Sequence, residues 1–462
     1  MNRRSRISIV LALVAAAVLA TAGPASARET RVAVATPAGP GPEQFNQVFV
    51  DKYGPRSGKR VLVLMPGTFG GSGDFTLAAR HLVRQVKGLQ VWAIDRRTQA
   101  LEDTSVFEQT LEGQKSLQEM FDYYLGWLDG ATPPDHYDFV VGSSHPYARE
   151  WGMSVALNDA RAVVRQARAK GRRSVAIGGH SLGASLAFAY AAWDFNGTAG
   201  FKDVDGIVAI DGGLRGSFNS IDTLAEAQSL LTSLAGSNPF GDLIGFGIPE
   251  LAGIFGEIGA VNALMAPTAS ASAVQDFSLL PPFFNPPYPV TNRALLGNAF
   301  DRDTSPSFLS LIHINGGGIA PSGSPRDWVD GGVTPVARLA AAFGQEPGNA
   351  IEWFFPKRLT IDTDAASPMA ATEPANYLGL RLFHTRGINV PLYSIQSDLS
   401  NGRVLQGARN LIAASRIRKR QATLVNADPI NAHLDPLIAA PETNLFYKSV
   451  TRFLKKKLGW KR

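Results

Sequence analysis

A serine set among glycines is the residue of this chain best placed to do chemistry. Ser181 is the centre of GHSLG, between a strand-like run (174–179) and an alanine-rich run (184–192). In such a context G-x-S-x-G forms a tight strand-to-helix turn that exposes the hydroxyl as a nucleophile. We expect glycine at Gly179 and Gly183 because any side chain there would collide with the neighbouring strand or helix. The alternative is an ordinary glycine-rich turn with an exposed serine.

A second glycine-rich loop lies upstream, in the segment VLMPGTFGGSGDF. It leaves a predicted strand, and a nucleophilic serine needs such a loop to aim a backbone N–H at the oxyanion that its attack creates. The expected donors are the amide of Leu182, directly after the serine, and that of Thr68 or Phe69. A phosphate-binding loop is the rival interpretation, but the segment lacks the P-loop lysine and the G-x-G-x-x-G spacing.

The elements that must position these loops alternate along the chain. Near-continuous apolar runs predict buried strands, and the spacing of Ala160, Val163, Val164 and Ala167 predicts a helix over 158–170. Buried strands separated by helices indicate a mostly parallel sheet with helices on both faces, an α/β fold. The predicted strands are 60–67, 89–96, 174–179, 204–212, 389–397 and 422–426.

Composition excludes several classes of protein and site. The chain has 462 residues, of which 45% are hydrophobic and 18% charged, as in globular proteins and unlike disordered ones. It contains no cysteine, which excludes disulfides, thiolate metal sites and a cysteine nucleophile. Basic runs at 416–420 and at the C-terminus accompany no nucleic-acid-binding motif, so we expect no nucleic-acid partner. The basic tail leaves open a transient contact with a membrane or interface.

The N-terminus has the pattern of an export signal. Basic residues precede an apolar stretch, and small residues at 25 and 27 form an A-x-A site, which predicts a signal peptide over 1–27, cleavage after Ala27 and a secreted protein. The apolar stretch is shorter than the roughly 20 residues of a membrane anchor. Residues 28–44 are rich in proline and glycine and predict a linker or an extended N-terminal arm.

With GHSLG, the PGT loop and this order of elements, the chain resembles the α/β-hydrolase superfamily, specifically its secreted bacterial serine esterases and lipases. The resemblance covers roughly residues 45–211 and 389–458. It implies a catalytic triad in the chain order serine, acid, histidine.

The resemblance also implies where the partners of Ser181 lie. His433, in a loop between the last predicted strand and the terminal helix, occupies the family's position for the base, whereas His313 is expected to line a pocket or the core. Asp398, just past a late strand, is the expected acid that orients His433. Asp211, one strand earlier, is the alternative acid.

Long connections set the expected domain organisation. An α/β-hydrolase core over 45–212 is interrupted by an inserted cap over 213–387 and completed by 388–462, which ends in a basic helix. The apolar cap suggests hydrophobic acyl or aromatic esters, cleaved through an acyl-enzyme without a metal or organic cofactor. The alternatives are an amidase or peptidase with the same triad, and a catalytically silent fold that binds a lipid or envelope partner.

Overall fold

The computed structural model describes residues 29–344, 350–367 and 371–461. The predicted signal peptide and its cleavage site after Ala27 lie outside these residues. Within them, no helix is long and apolar enough to cross a membrane.

An eight-stranded sheet forms the centre of the molecule. Its order is β1-β2-β4-β3-β5-β6-β7-β8; β2 runs antiparallel to both its neighbours, and all pairs from β4 to β8 are parallel. With helices on both faces, this topology is the α/β-hydrolase fold. The strands are β1 Thr30–Ala35, β2 Gln47–Tyr53, β3 Arg60–Met65, β4 Leu89–Asp95, β5 Ser174–His180, β6 Gly206–Ile210, β7 Leu392–Gln396 and β8 Ala422–Asn426.

Helices cover both faces because the central strands are apolar on both sides. On one face lie α1 Thr76–Gln85 and α15 Leu445–Lys456; on the other lie α4 Met153–Arg168, α5 Leu182–Ala192 and α13 Arg403–Ala414. Short helices α2 Ser105–Leu111, α3 Leu117–Tyr124 and α14 Asp435–Ile438 occupy the connections. Helix α5 is buried along its whole length, in keeping with its alanine-rich sequence.

The N-terminal stretch differs from a linker. From Thr30 onward it forms β1, which pairs with β2 as the edge of the sheet. Arg31 of β1 makes ion pairs with Asp51 and Asp95 on the next two strands. Within the stretch 28–44, for which the sequence predicts a linker or an extended N-terminal arm, residues 30–35 therefore belong to the sheet.

The cap lies between β6 and β7. Its helices are α6 Leu224–Ala235, α7 Leu251–Met265, α8 Ser272–Gln275, α9 Asn292–Phe300, α10 Val336–Phe343, α11 Lys357–Ala365 and α12 Glu373–Tyr377, and its hairpin pairs Gly317–Gly323 with Arg326–Asp330. Helices α2 and α3, assigned from sequence to the core, pack against α7. By contrast, α11 packs on α4 and α5 and so helps to cover a face of the sheet.

Candidate active site

The turn after β5 holds Ser181 in a strained conformation. Its φ is 53° and its ψ is −123°, a region that non-glycine residues rarely adopt. The turn is fixed on both sides: the Ser181 amide donates to the carbonyl of Ile210 at 2.8 Å, and the Ser181 carbonyl accepts from Ala184 at 2.9 Å. Strained residues of this kind cluster at functional sites, where contacts with the surrounding structure hold them in that conformation.

Two glycines make this turn sterically feasible. A Cβ at Gly183 would overlap the carbonyl of Met65 at the end of β3, and one at Gly179 would overlap the backbone of Gly183. The helix and the strand therefore approach each other more closely than any side chain allows. Gly178 is also constrained, since a Cβ there would meet the carbonyl of Val208 on β6.

His433 lies in the loop between β8 and α14, and its ring is 1% exposed. Its Nδ1 donates to Asp211 Oδ2 at 2.5 Å. Its Nε2 is buried and has no hydrogen-bond partner within the described part of the chain. His433 and Ser181 line the same small cavity. An imidazole held at one nitrogen and free at the other, in a cavity that a serine also lines, can take up and return a proton.

Asp211 follows β6 directly and is fully buried. Its carboxylate also accepts the amide of Ser397 at 2.8 Å and the Ser397 hydroxyl. Burial by itself would raise the pKa of Asp211, but the charge of His433 and the hydrogen bonds from His433 and Ser397 bring that pKa below its usual value. Asp211 is therefore ionised at neutral pH.

The structure corrects the expected acid. Asp398 lies beyond the end of β7 with its side chain a third exposed, and it pairs with Arg302 of the cap at 3.2 Å. Its amide donates to the carbonyl of Asn431, so its backbone lies against the histidine loop while its carboxylate points to the cap. The alternative acid, Asp211, makes the contact to His433.

A second histidine supports the loop of His433. The Nε2–H of His180, the residue before the serine, donates to the His433 carbonyl at 2.9 Å, and the two rings lie 4.4 Å apart. Burial, and next to it the charge of His433, lowers the pKa of His180 to about 3. His180 is thus neutral and acts as a hydrogen-bond donor.

Asp435 holds the other side of the histidine loop. It accepts the amide of Ala432 at 2.7 Å and the hydroxyl of Thr334 at 2.6 Å. Of the other histidines after the serine, His313 donates from its ring to the carbonyl of Pro306, and its own carbonyl accepts the amide of Leu434 at 3.0 Å, beside His433. His384 pairs with Asp194.

Of the expected oxyanion donors, Leu182 follows Ser181 in the chain, whereas Thr68 and Phe69 line the cavity. Leu182 is the first residue of α5, so its amide has no intrahelical acceptor. Phe69 has φ 55°, and its ring packs at a tilt of 44° against that of Phe355 of the cap, with centroids 5.1 Å apart.

Arg96, directly after β4, holds the loop of Thr68. Its guanidinium donates to the carbonyls of Pro66 at 2.7 Å, Gly67 at 2.8 Å and Gly70 at 3.2 Å. It also forms an ion pair with Glu352 of the cap, whose other oxygen accepts the Thr98 hydroxyl. Burial raises the pKa of Glu352 to about 7, although Arg96 lowers it. Arg96 thus binds three carbonyls of the loop and links the loop to the cap.

Residues 350–352 of the cap, which we call the strap, pair with this loop as a strand would. The Gly71 amide donates to the Ala350 carbonyl at 2.9 Å, and the Glu352 amide donates to the Phe69 carbonyl at 2.8 Å. The cavity between strap and core is small, about 20 Å³, and Ser181 is only 8% exposed. In this conformation the site is narrow and has room for about one water molecule.

Four of these residues were not identified from the sequence: His180, Ser397, Arg96 and Glu352. A signal was present for Arg96, because it follows the carboxyl end of a predicted parallel strand, where functional side chains of α/β sheets gather. Glu352 carries no such signal, since only the folded cap brings it to Arg96.

Comparisons with known proteins give structural neighbours only. No protein-family model matches the chain, and no curated protein matches its sequence. A candidate lipase from Sulfolobus solfataricus is 13% identical with a TM-score of 0.48, and the match covers 94% of each chain. Epoxide hydrolase A from Mycobacterium thermoresistibile is 14% identical with a TM-score of 0.43, covering 93% of this chain and 99% of that one.

A third neighbour, an epoxide hydrolase from an endophytic Streptomyces, is 14% identical with a TM-score of 0.45 over 93% of this chain and 96% of that one. At these identities and scores the neighbours do not indicate which reaction this chain catalyses. The chemistry is inferred below from the site itself.

The choice between the two acids is testable through the reactivity of Ser181. We expect Asp211→Asn to slow covalent labelling by a fluorophosphonate about 10³- to 10⁴-fold, because the amide cannot hold the Nδ1–H tautomer of His433. Asp398→Asn, the matched control, should label close to the parent rate. If Asp398→Asn slowed labelling more than Asp211→Asn did, the assignment of Asp211 would be contradicted.

The elbow glycines give a test on stability. Gly183→Ala is expected to lower the free energy of unfolding by about 3 kcal/mol or more, because the added methyl meets the rigid Met65 carbonyl. Gly236→Ala, at the end of α6 with φ −93° and open space around it, should change stability by less than about 0.5 kcal/mol. Denaturant unfolding measures both, and equal effects would show that the turn tolerates a side chain.

Proposed function

We propose that the chain is an exported serine hydrolase that cleaves carboxylic esters with hydrophobic acyl groups. The observation that carries the proposal is the arrangement around His433. Its Nδ1 is held by the buried, ionised Asp211, while its Nε2 is unpartnered within the described residues and faces the cavity that the strained Ser181 also lines.

The mechanism follows from these positions. Ser181 Oγ attacks the ester carbonyl carbon as His433 Nε2 takes the hydroxyl proton, and the tetrahedral oxyanion is stabilised by the amides of Leu182 and Thr68 or Phe69. The intermediate collapses, the C–O bond breaks, and the alcohol leaves with the proton from His433. Water then takes the place of the alcohol: it attacks the acyl carbonyl as His433 accepts its proton. The second tetrahedral intermediate collapses, which releases the acid and returns the proton to Ser181. No cofactor is needed for this chemistry.

An apolar chamber inside the cap supports the hydrophobic substrate class. It has a free volume of about 60 Å³ and is lined by side chains of α7 and α9 and the segment Ser307–Ile312. Ile312 and Ile351 line both this chamber and the catalytic cavity. An acyl chain attached to Ser181 could enter the chamber between these two side chains, where methylene groups are removed from water.

The first test is hydrolysis of p-nitrophenyl esters of increasing chain length by the chain without residues 1–27. We expect activity in the parent, none in Ser181→Ala, and a kcat/KM that rises up to about fourfold per added methylene, which corresponds to about 0.8 kcal/mol per buried CH₂. If the parent cleaves no ester and does not label with a fluorophosphonate, the silent ligand-binding fold replaces the esterase. Cleavage of anilides in preference to esters would favour the amidase.

The chamber is tested by filling it. Ala299→Phe places a ring in the lining and should lower kcat/KM for octanoyl and longer esters about tenfold or more, while the acetyl ester is cleaved at the parent rate. Leu264→Phe, on the exposed side of α7, is the matched control and should change neither. An equal loss for short and long esters would show that the chamber does not hold the acyl chain.

Two neighbouring arginines test the support of the oxyanion loop. Arg96→Lys cannot bond three carbonyls and Glu352 together, so we expect kcat to fall about 10- to 100-fold with little change in KM. Arg97→Lys is the matched control, because Arg97 is also buried in an ion pair, with Asp159, but does not contact the loop. It should reduce stability and keep kcat. Equal kcat values for both variants would contradict a role of Arg96 in the loop.

A further inference from the structure

Asp74 lines the catalytic cavity but has no part in the mechanism above. It lies on the short helical turn Ser72–Phe75 that follows the loop of Thr68, and it is 3% exposed. The other polar groups that line the cavity with it include Ser181, His433 and Thr68. A carboxyl group so deeply buried beside a nucleophile requires an explanation.

The carboxyl has no hydrogen-bond partner among the residues that the structure describes. Arg96, whose positive charge acts on Asp74, pairs with Glu352, and Arg31, which contacts Ser72, pairs with Asp51 and Asp95. The Ser72 amide, two residues before it, donates to Asp95, and the Ser72 hydroxyl lies within hydrogen-bond distance of both Asp51 and Asp95. Asp74 therefore faces the cavity with its hydrogen-bonding capacity unused.

Its surroundings favour the neutral acid. Burial, and after it the negative charge of Asp95, raises the pKa of Asp74 well above its usual value, while Arg96 opposes this only in part. The charged groups that act on Asp74 are Asp95 and Arg96, and His180 and His433 line the same cavity. A protonated carboxyl carries one O–H donor in addition to its acceptor oxygens.

The position of the Asp74 carboxyl depends on Gly70. A Cβ at Gly70 would collide with Asp74 Oδ2 and would also approach the Gly67 amide, so the carboxyl packs directly on the backbone of the loop that carries Thr68. Gly67 in turn approaches Ser181, since a Cβ there would lie 3.0 Å from Ser181 Cβ. Asp74 thus occupies the loop side of the space in which a carbonyl oxygen would turn into an oxyanion.

The geometry assigns to Asp74 a catalytic role: its carboxyl O–H donates a hydrogen bond to the carbonyl oxygen of the substrate as negative charge develops there. This inference rests on the proposed function. The proton remains on Asp74 throughout, and the group adds a side-chain donor to the backbone amides of Leu182 and Thr68. In a cavity with room for about one water molecule, little solvent competes for such a donor.

Variants at Asp74 separate this role from packing. Asp74→Leu keeps the approximate size and removes the donor, and we expect kcat to fall about 10- to 100-fold with KM little changed. Asp74→Asn supplies an N–H donor and should stay at least about tenfold more active than the leucine variant. Equal rates for the two variants would overturn the assignment.

The pH profile gives a readout that a packing role would not move. Because the pKa of Asp74 is raised, the neutral donor persists above the usual carboxyl range and is lost as pH rises through that raised pKa. The kcat of the parent should then fall as pH rises through that pKa, since a carboxylate both lacks the proton and repels the oxyanion. Asp74→Asn should lack that decline, and an identical decline in both proteins would overturn the assignment.

A spectroscopic measurement makes the test independent of turnover. The infrared difference spectrum of the parent against Asp74→Asn at neutral pH should show the carbonyl stretch of a protonated carboxylic acid. Its absence would overturn the assignment whatever the activity. Failure of the proposed function is recognised separately, because the parent itself would then neither label with a fluorophosphonate nor cleave any ester.

Discussion

The guanidinium of Arg96 connects three parts of the molecule that the candidate site needs together. Arg96 stands directly after β4 of the sheet. Its guanidinium donates hydrogen bonds to three carbonyls of the loop that carries Thr68 and forms an ion pair with Glu352 of the cap. A planar group with five fixed donors can satisfy four acceptors at once, which a lysine cannot. The conformation of the loop, the position of the strap and the shape of the cavity all depend on this contact.

Much of the core could be predicted because its strands are near-continuous apolar runs, which is the pattern typical of buried parallel strands. The runs over 60–65 and 174–180 are apolar on both faces, and the structure has them as β3 and β5. Strands β1 and β2 were missed because they are antiparallel, part exposed and mixed with charged residues, as Arg31 and Asp51 show. Their pairing depends on partners distant in the chain.

The serine and the histidine of the candidate site could be anticipated from local signals and from the family resemblance, but the acid could not. Asp211 and Asp398 both follow strands of the sheet, and both lie near the histidine loop. What separates them is three-dimensional: Asp211 meets Ser397 and His433 in a fully buried position, whereas Arg302 of the cap draws Asp398 away. No spacing in the chain encodes the position of Arg302. The same holds for Glu352, which follows a cap segment without any recognisable motif.

The pairing of the strap with the loop of Thr68 has a consequence for how such a molecule can evolve or be engineered. An insertion that merely covered a complete active site could be exchanged for another without loss of the underlying chemistry. Here residues 350–352 supply backbone partners to the loop itself, and Glu352 supplies the counter-charge of Arg96. A chimaera that grafts a foreign cap onto this core would therefore inherit the serine and the histidine but would have to carry over this three-residue segment to keep the loop in shape.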